Sequence, residues 1–381
     1  MSKELLEYRF SAQDKSEFVD TIVENAASLG AAAAWRKYGR YGIIGSNNMS
    51  DSEYNTLNKQ VKESMLKFAA KVAGISVPET KTDLAFAFNS DIFRAVINTI
   101  TTRALALMMV RYDAPQIMAF TEIENVEVGD SRTYEIDTKG LPQAQRATYG
   151  SNVSFVPSDA KGAVTLTPKP YTIGVSLDYI RIIANGYDWG AEIARVYAGM
   201  LFAQYKLAVG KIFSDSILSG TPLYQGTFAA STYTQLASDI GMLNGGSIDG
   251  VTAYGTRVAF NAISALATTG GYTTKDDYIK NGFLQKIYGV DSVLLEQFTN
   301  LAAPFNSANA ASLRTIPDNL IVLVSTNTDK PVKLVRESYI RVKETEAKDN
   351  TANRMEYTYF QNFDAGLATA SHFGVQNTTG A

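Results

Sequence analysis

Cysteine is missing from this 381-residue sequence, and histidine occurs once, at His372. The first absence excludes disulfide frameworks, thiolate zinc sites and cysteine nucleophiles, and it fits a chain made in a reducing compartment. The second leaves a single imidazole for any Ser-His-Asp triad or metal site. That imidazole lies in the strand-like run TASHFGVQ, where a surface or hydrogen-bonded core histidine is the simpler reading. Positive charge is also scarce: 35 Lys and Arg stand against 38 Asp and Glu, a formal net charge of -3. A domain that grips nucleic acid usually carries a basic excess. Long apolar runs are missing too. The most apolar window, residues 92–110, contains Arg94 and Arg103, so it is expected to fall short of a membrane span. The N-terminus, MSKELLEYRF, alternates charges and shows no apolar stretch of a secretory signal. A soluble, unexported protein is expected, and the Asn-x-Ser/Thr matches at Asn48, Asn152 and Asn377 then read as chance.

Catalytic motifs are absent as well. No phosphate-cradling GxxxxGK[ST], GxGxxG after a strand, GxSxG, HExxH or EF-hand loop occurs. Ser64-Met65-Leu66-Lys67 matches SxxK, but it lies inside a helical apolar pattern and no SDN or KTG partner accompanies it. Carboxylates such as Asp276, Asp277, Glu344 and Glu346 read as helix-start and exposed-strand charges. A glycosidase-type carboxylate pair depends on three-dimensional separation, so a hydrolytic enzyme stays as a remote alternative. No catalytic, cofactor-binding or metal-ligating residue is assigned, and no cofactor.

What is present begins with one long helix, predicted over residues 188–219. Asp188 is placed to cap it, Glu192 lies in its first turn, and Gly220-Thr221-Pro222 is expected to stop it. Its apolar residues do not form one stripe: Ile193, Val196, Tyr197, Met200 and Leu201 occupy one side, and Phe202, Val209, Phe213 and Ile217 drift to another. A helix apolar over most of its girth is covered on several sides.

Residues 1–121 read as a loosely joined helical arm. Helical spacing runs through residues 16–29, 50–72, with Ser50-Asp51-Ser52-Glu53 as a capped start, and from Asn89 or Ser90 to Met109. Between the first two lies AAAAWRKYGRYGIIGSNN, in which Trp35-Arg36-Lys37-Tyr38-Gly39-Arg40-Tyr41 mixes basic and aromatic residues. That mixture suits single-stranded nucleic acid, an intersubunit contact or a plain loop, and the sequence leaves all three open.

Residues 122–177 change character. Residues 131–137, 164–168 and 171–177 show the alternation of strands, separated by a polar, turn-rich stretch, 138–163, that contains Gly140, Pro142, Gly150, Pro157 and Gly162. This predicts a long two-stranded excursion with a wide tip, an element marginally stable alone. Further on, helices are predicted over residues 257–267 and 274–288, the second closed by Gly289. Residues 320–325 and 331–335 are predicted as a hairpin turning at Asn327-Thr328-Asp329-Lys330, and residues 354–376 as late strands.

This order of parts, with FLQKIYGV at residues 283–290 inside the α/β region, resembles the major capsid proteins of tailed bacteriophages with the HK97 fold. The resemblance covers about residues 85–376 and rests on the order of elements, since the family has no short catalytic motif. It implies an α+β chain: a helical arm (1–121), an extended β-loop (122–177), the spine helix of a peripheral domain (178–225), an axial domain (226–345) and late strands returning to the peripheral domain (346–381). It implies a head protein that assembles into hexamers and pentamers of an icosahedral shell around double-stranded DNA. The partners would be further copies of the chain, with separate scaffold and portal proteins, packaged DNA nearby and no membrane; the location would be the virion, assembled in the host cytoplasm. Only about 85 residues precede the third helix, fewer than the cleaved scaffolding segment of many relatives, so the resemblance implies either a separate scaffold protein or an arm that itself suffices. Some relatives crosslink a loop lysine to an asparagine; Lys139, Lys161, Asn350, Asn353 and Asn362 are the residues to consider, and crosslinking is not expected. An encapsulin-like compartment shell is the alternative, with a cargo groove built by the helix at residues 16–29.

Overall fold

The computed structural model describes residues 17–38, 49–111, 118, 120–137, 161–178, 188–213, 225–244, 248–268, 285–295, 297, 314–325, 330–346, 354–368 and 372–378. Four helices come first: α1 (Glu17–Tyr38), α2 (Asp51–Ala73), α3 (Lys81–Phe88) and α4 (Asp91–Arg111). Their starts follow from local chemistry. The Ser50 hydroxyl accepts from the backbone N–H of Glu53, whose carboxylate accepts from the Ser50 N–H, and Thr80 and Asp83 repeat the same reciprocal box ahead of α3. Gly74, with φ of 68°, closes α2.

These helices are not loosely joined. Val19, Ile22, Val23 and Leu29 of α1, Val61 and Met65 of α2, and Phe93, Ile97, Ile100 and Met108 of α4 are buried in one continuous core. The alanine run placed between the first two helical patterns is part of α1 and a close-packing face: Ala31 to Ala34 are all buried. A Cβ on Gly30 would come within 2.7 Å of Ile193 Cγ2 and 2.7 Å of Met108 Sδ. Small residues here let α1 lie directly on two neighbours. Helix α4 has the length and mean hydropathy (1.3) of a membrane span despite its arginines, with 56% of that window buried inside the protein. Arg103 and Arg111 at its surface pair with Asp20 and Glu24 of α1.

The neighbour shared by α1, α2 and α4 is the spine helix α5 (Trp189–Ile212). Asp188 caps it as expected, accepting from Ala191 N–H at 3.1 Å, and the same carboxylate accepts the Tyr54 hydroxyl of α2 at 2.8 Å. The helix ends at Ile212, where Phe213 (φ -108°, ψ 11°) leaves helical geometry; residues 214–219 of the prediction lie outside the described residues. Twenty-four residues make it roughly 36 Å long. Ile193, Tyr197, Met200, Leu201, Tyr205 and Val209 are buried, each contributing about 1.5–3 kcal/mol for aliphatic and aromatic burial of this kind. Helices cover one side, and a sheet covers the other.

That sheet has five strands: β1 (Thr121–Val126), β4 (Lys169–Asp178), β10 (Val332–Glu337), β11 (Arg341–Glu346) and β12 (Arg354–Leu367). The long β12 is its centre. One edge of β12 pairs with β4, and the other pairs with β11 and then β10, which in turn holds β1 in parallel. Along β12, Tyr357, Tyr359, Gln361, Phe363 and Ala365 face inward and are buried, while Thr358, Phe360 and Asn362 between them are half-buried on the opposite face.

A second sheet has six strands in the order β5 (Gln225–Thr227), β13 (Phe373–Asn377), β9 (Leu320–Ser325), β6 (Val251–Gly255), β8 (Val290–Leu294) and β7 (Lys286–Ile287). Strand β9 divides its side chains by alternation. Leu320, Val322 and Val324 join the main core, while Ile321 and Leu323 join a second core with α6 (Ala230–Leu243) and α7 (Arg257–Thr268).

Three expectations change here. Residues 320–325 and 332–337 are not a hairpin: both strands are buried along their whole length, and each lies inside a different sheet. The late strands split, β12 to the five-stranded sheet and β13 to the six-stranded one, while β10 and β11 leave the region assigned to the axial domain. The end of the helix predicted at 274–288 is a hairpin instead; Tyr288 (φ 49°) and Gly289 (φ 88°) form its turn between β7 and β8, the two positive φ values of a type I′ turn. Residues 274–284 of that prediction lie outside the described residues.

Candidate assembly surface

Strands β2 (Arg132–Asp137) and β3 (Lys161–Leu166) form a separate antiparallel ribbon, and among the described residues they pair only with each other. This is the inner part of the excursion expected over 122–177; the residues at either end of that range, in β1 and β4, belong to the five-stranded sheet instead. Its tip, residues 138–160, lies outside the described residues. The ribbon leaves the five-stranded sheet through the turn at Gly129, whose φ of 90° favours glycine. The Gly129 N–H donates to the Glu337 carboxylate at 3.0 Å.

The foot of the ribbon is held by a small set of contacts. The Tyr134 hydroxyl donates to Glu124 of β1 at 2.9 Å, and Arg132 pairs with the same carboxylate at 3.0 Å. Beneath the Tyr134 ring lies the Lys333 ammonium of β10, 5.6 Å from the ring centroid and also paired with Glu122. Burial, and after it the hydrogen bond and negative charge of Glu124, push the Tyr134 pKa above its ordinary 10.0, so the hydroxyl stays a donor. On the other strand, Leu166 is buried against β12, and a Cβ on Gly366 would meet its Cδ2 at 2.7 Å.

Behind this foot is a buried polar junction that sequence reading missed. Arg336, 1% exposed, donates to Asn125 Oδ1 of β1 (2.7 Å), to Gln204 Oε1 of the spine helix (3.4 Å) and to the Met109 carbonyl in the last turn of α4 (2.5 Å). A cation is favoured at a helix C-terminus. Gln204 then donates to Gln361 of β12 at 3.0 Å, and Gln361 to the Glu337 carbonyl at 3.4 Å. One side chain thereby joins the helical layer, the spine and the sheet. In the sequence VKLVRE its charge carries no sign of burial.

The other residues singled out from sequence are dispersed. His372 is tied through its backbone, N–H and carbonyl, to the Asn244 amide at 3.0 Å each. Arg36 pairs with Asp51 at 2.8 Å, donates to the Met49 carbonyl and lies 4.5 Å over the Tyr54 ring, so it is engaged within the chain; Gly39, Arg40 and Tyr41 lie outside the described residues. Ser64 and Lys67 sit within α2. Asn362 donates to the buried Glu337 carboxylate at 2.9 Å, and Lys161 is the first residue of β3; Lys139, Asn350 and Asn353 lie outside the described residues, as do Asp276 and Asp277. Among the described residues, no three His, Asp or Glu side chains gather so as to hold a metal ion.

Residues 47–377 match the family model described as "SPbeta prophage-derived putative capsid protein YonB". The chain belongs to this capsid-protein family. The capsid protein is similar to a capsid structure of cyanophage P-SCSP1u at 10% identity, over 68% of this chain and 86% of that one, with a TM-score of 0.44. It is also similar to a structure from Mycobacterium phage Che8 (16% identity, 66% and 86%, TM-score 0.42) and to a phage-related protein from Bordetella bronchiseptica (14%, 72% and 96%, TM-score 0.44). No curated protein sequence matches it. The family places the capsid protein in the virion and bears out the sequence resemblance to a phage major capsid protein.

Proposed function

We propose that this capsid protein is the major head subunit, with an HK97-type fold, and that its copies assemble into hexamers and pentamers of an icosahedral shell enclosing double-stranded DNA. The observation that carries this reading is the ribbon β2–β3, which among the described residues is self-paired and anchored at its foot. Such a ribbon is stable when another surface receives it. A neighbouring copy is that surface, the ribbon being the extended loop, the six-stranded sheet with α6 and α7 the axial domain, and the spine with the five-stranded sheet the peripheral domain. Near-neutral charge supports a wall that lies beside DNA without binding its phosphates tightly. The role is structural, not enzymatic; scaffold and portal proteins would be separate, and assembly would occur in the host cytoplasm. Helix α1 buries Val19, Ile22, Val23 and Leu29 in the core, which favours this reading over a cargo-binding compartment whose groove needs that helix.

The test is expression of the chain alone, followed by size-exclusion chromatography and negative-stain microscopy at low and moderate salt. Shells, sheets or ring-shaped capsomers are expected, and deletion of residues 138–160 should abolish them while leaving a folded monomer. A monomer or dimer indifferent to that deletion and to candidate scaffold proteins would overturn the assignment.

A further inference from the structure

Strands β1 and β10 run in parallel and end together. Beyond their ends the Ser338 N–H donates to the Val126 carbonyl at 3.1 Å and Gly129 is tied to Glu337, so the turns after both strands emerge at one corner of the five-stranded sheet. Each turn carries an exposed apolar side chain, Val128 at 49% and Tyr339 at 55%. On one flank are the exposed carboxylates of Glu127 and Asp130, and on the other the exposed Arg341 and Lys343. Beside Tyr339 the surface forms an open groove whose lining includes Arg341, Lys343, Phe360, Asn362 and Pro170. Among the described residues, Glu127, Asp130 and Lys343 form no ion pair, and Arg341 approaches only Glu337, at 4.0 Å.

An apolar pair bounded by carboxylates on one side and cations on the other is complementary to itself after a half-turn. We propose that this corner is a two-fold contact between copies of the chain. Val128 and Tyr339 meet their counterparts near the axis, and the acidic turn of each copy lies along the Arg341–Lys343 rim of the other. Opposite charge at both flanks fixes the register, and like charge disfavours any sideways shift. The contact rests on the shell reading only in that copies must meet; it is separate from the ribbon.

Two variants test it: one with Glu127→Lys and Asp130→Lys, the other with Arg341→Glu and Lys343→Glu. In each, both flanks carry the same sign, so self-association measured by sedimentation should weaken roughly tenfold or more at low salt. A one-to-one mixture of the two restores opposite charges across both flanks and should associate better than either alone. Circular dichroism checks that each variant is folded. Variants that assemble like the parent, or a mixture no better than its components, would overturn the contact. If the parent still forms shells by microscopy in that case, the shell assignment stands while this corner fails; a parent that never assembles sinks both.

Discussion

The junction around Arg336 and the foot of the ribbon draw on the same strands, β1 and β10, and on similar groups, a cation with side-chain oxygens around it. They differ in water. Arg336 is 1% exposed, and its bonds reach three layers of the fold. At the ribbon foot Lys333 of β10 is buried too, but the pair that reaches into the ribbon itself, Arg132 with Glu124, keeps 55% and 31% of its side chains exposed. Partly exposed ion pairs are screened and contribute about 0–1 kcal/mol, whereas buried donors and acceptors must stay paired or cost their full desolvation. The two regions therefore divide the labour: a scaffold that cannot loosen one layer without another, and a ribbon whose attachment is cheap to break. A subunit that places its ribbon on a neighbour needs both.

The largest effect should come from breaking the junction. Arg336→Ala leaves the Met109 carbonyl, Asn125 and Gln204 without their donor, and a loss of about 3–5 kcal/mol is expected in denaturant unfolding of the unassembled chain. A loss near zero would erase the distinction between the regions. Next is packing in the same scaffold. Gly30→Ala places a methyl against Ile193 and Met108, and overpacking of this kind costs about 1–3 kcal/mol, again read by unfolding.

The ribbon should respond locally. Tyr134→Phe removes one hydrogen bond to Glu124, about 0.5–1.5 kcal/mol, and amide exchange in residues 132–136 should quicken while the melting temperature of the core hardly moves. The pH dependence has a definite sign. Because the Tyr134 pKa is raised, its contribution is fully present below the ordinary 10.0 and is lost only as pH rises through the raised value. Ribbon exchange that already loosens between pH 6 and 8 through Tyr134 would contradict this.

How far these regions could be read from sequence follows the range of the interactions. The ribbon's alternation at 131–137 and 164–166, the Asp188 cap and the Ser50–Glu53 box are local, and each appears where the residues indicate, whereas the alternation at 171–177 belongs to β4 of the five-stranded sheet. The start of helix α3 is local too, since Thr80-x-x-Asp83 is a capping pattern. The scaffold was harder. The alanines before Trp35 fall between two helical patterns in the sequence, and only partners distant in the chain, such as Ile193 and Met108 against the adjoining Gly30, show that small residues here make a packing face. Residues 320–325 and 332–337 look like a hairpin because proximity in sequence favours it, yet strand partners such as Val375 and Thr121 lie far along the chain. Burial of Arg336 depends on three separate segments, and no local pattern encodes it.

The smallest expected effect lies at the fully exposed end of the same scale, in the α2 cap. Hydrogen bonds from the Ser50 hydroxyl and then the Ser50 N–H lower the pKa of Glu53 from its ordinary 4.5. A depressed carboxylate contributes stability that is present above its ordinary value and is lost as pH falls through the lowered one. Ser50→Ala should therefore lower the melting temperature slightly at pH 7 and by less as pH drops below that lowered value, where the parent has already lost the charge-assisted part of the box. The Arg336→Ala deficit should persist across the same range, since the acceptors it leaves bare, a backbone carbonyl and two side-chain amides, do not titrate there. Melting curves of both variants between pH 7 and pH 3 separate the cases: a converging pair for the cap beside a parallel pair for the junction is expected, and converging curves for Arg336→Ala would mean that a titrating carboxylate, not the buried amides and carbonyl, is what the arginine serves.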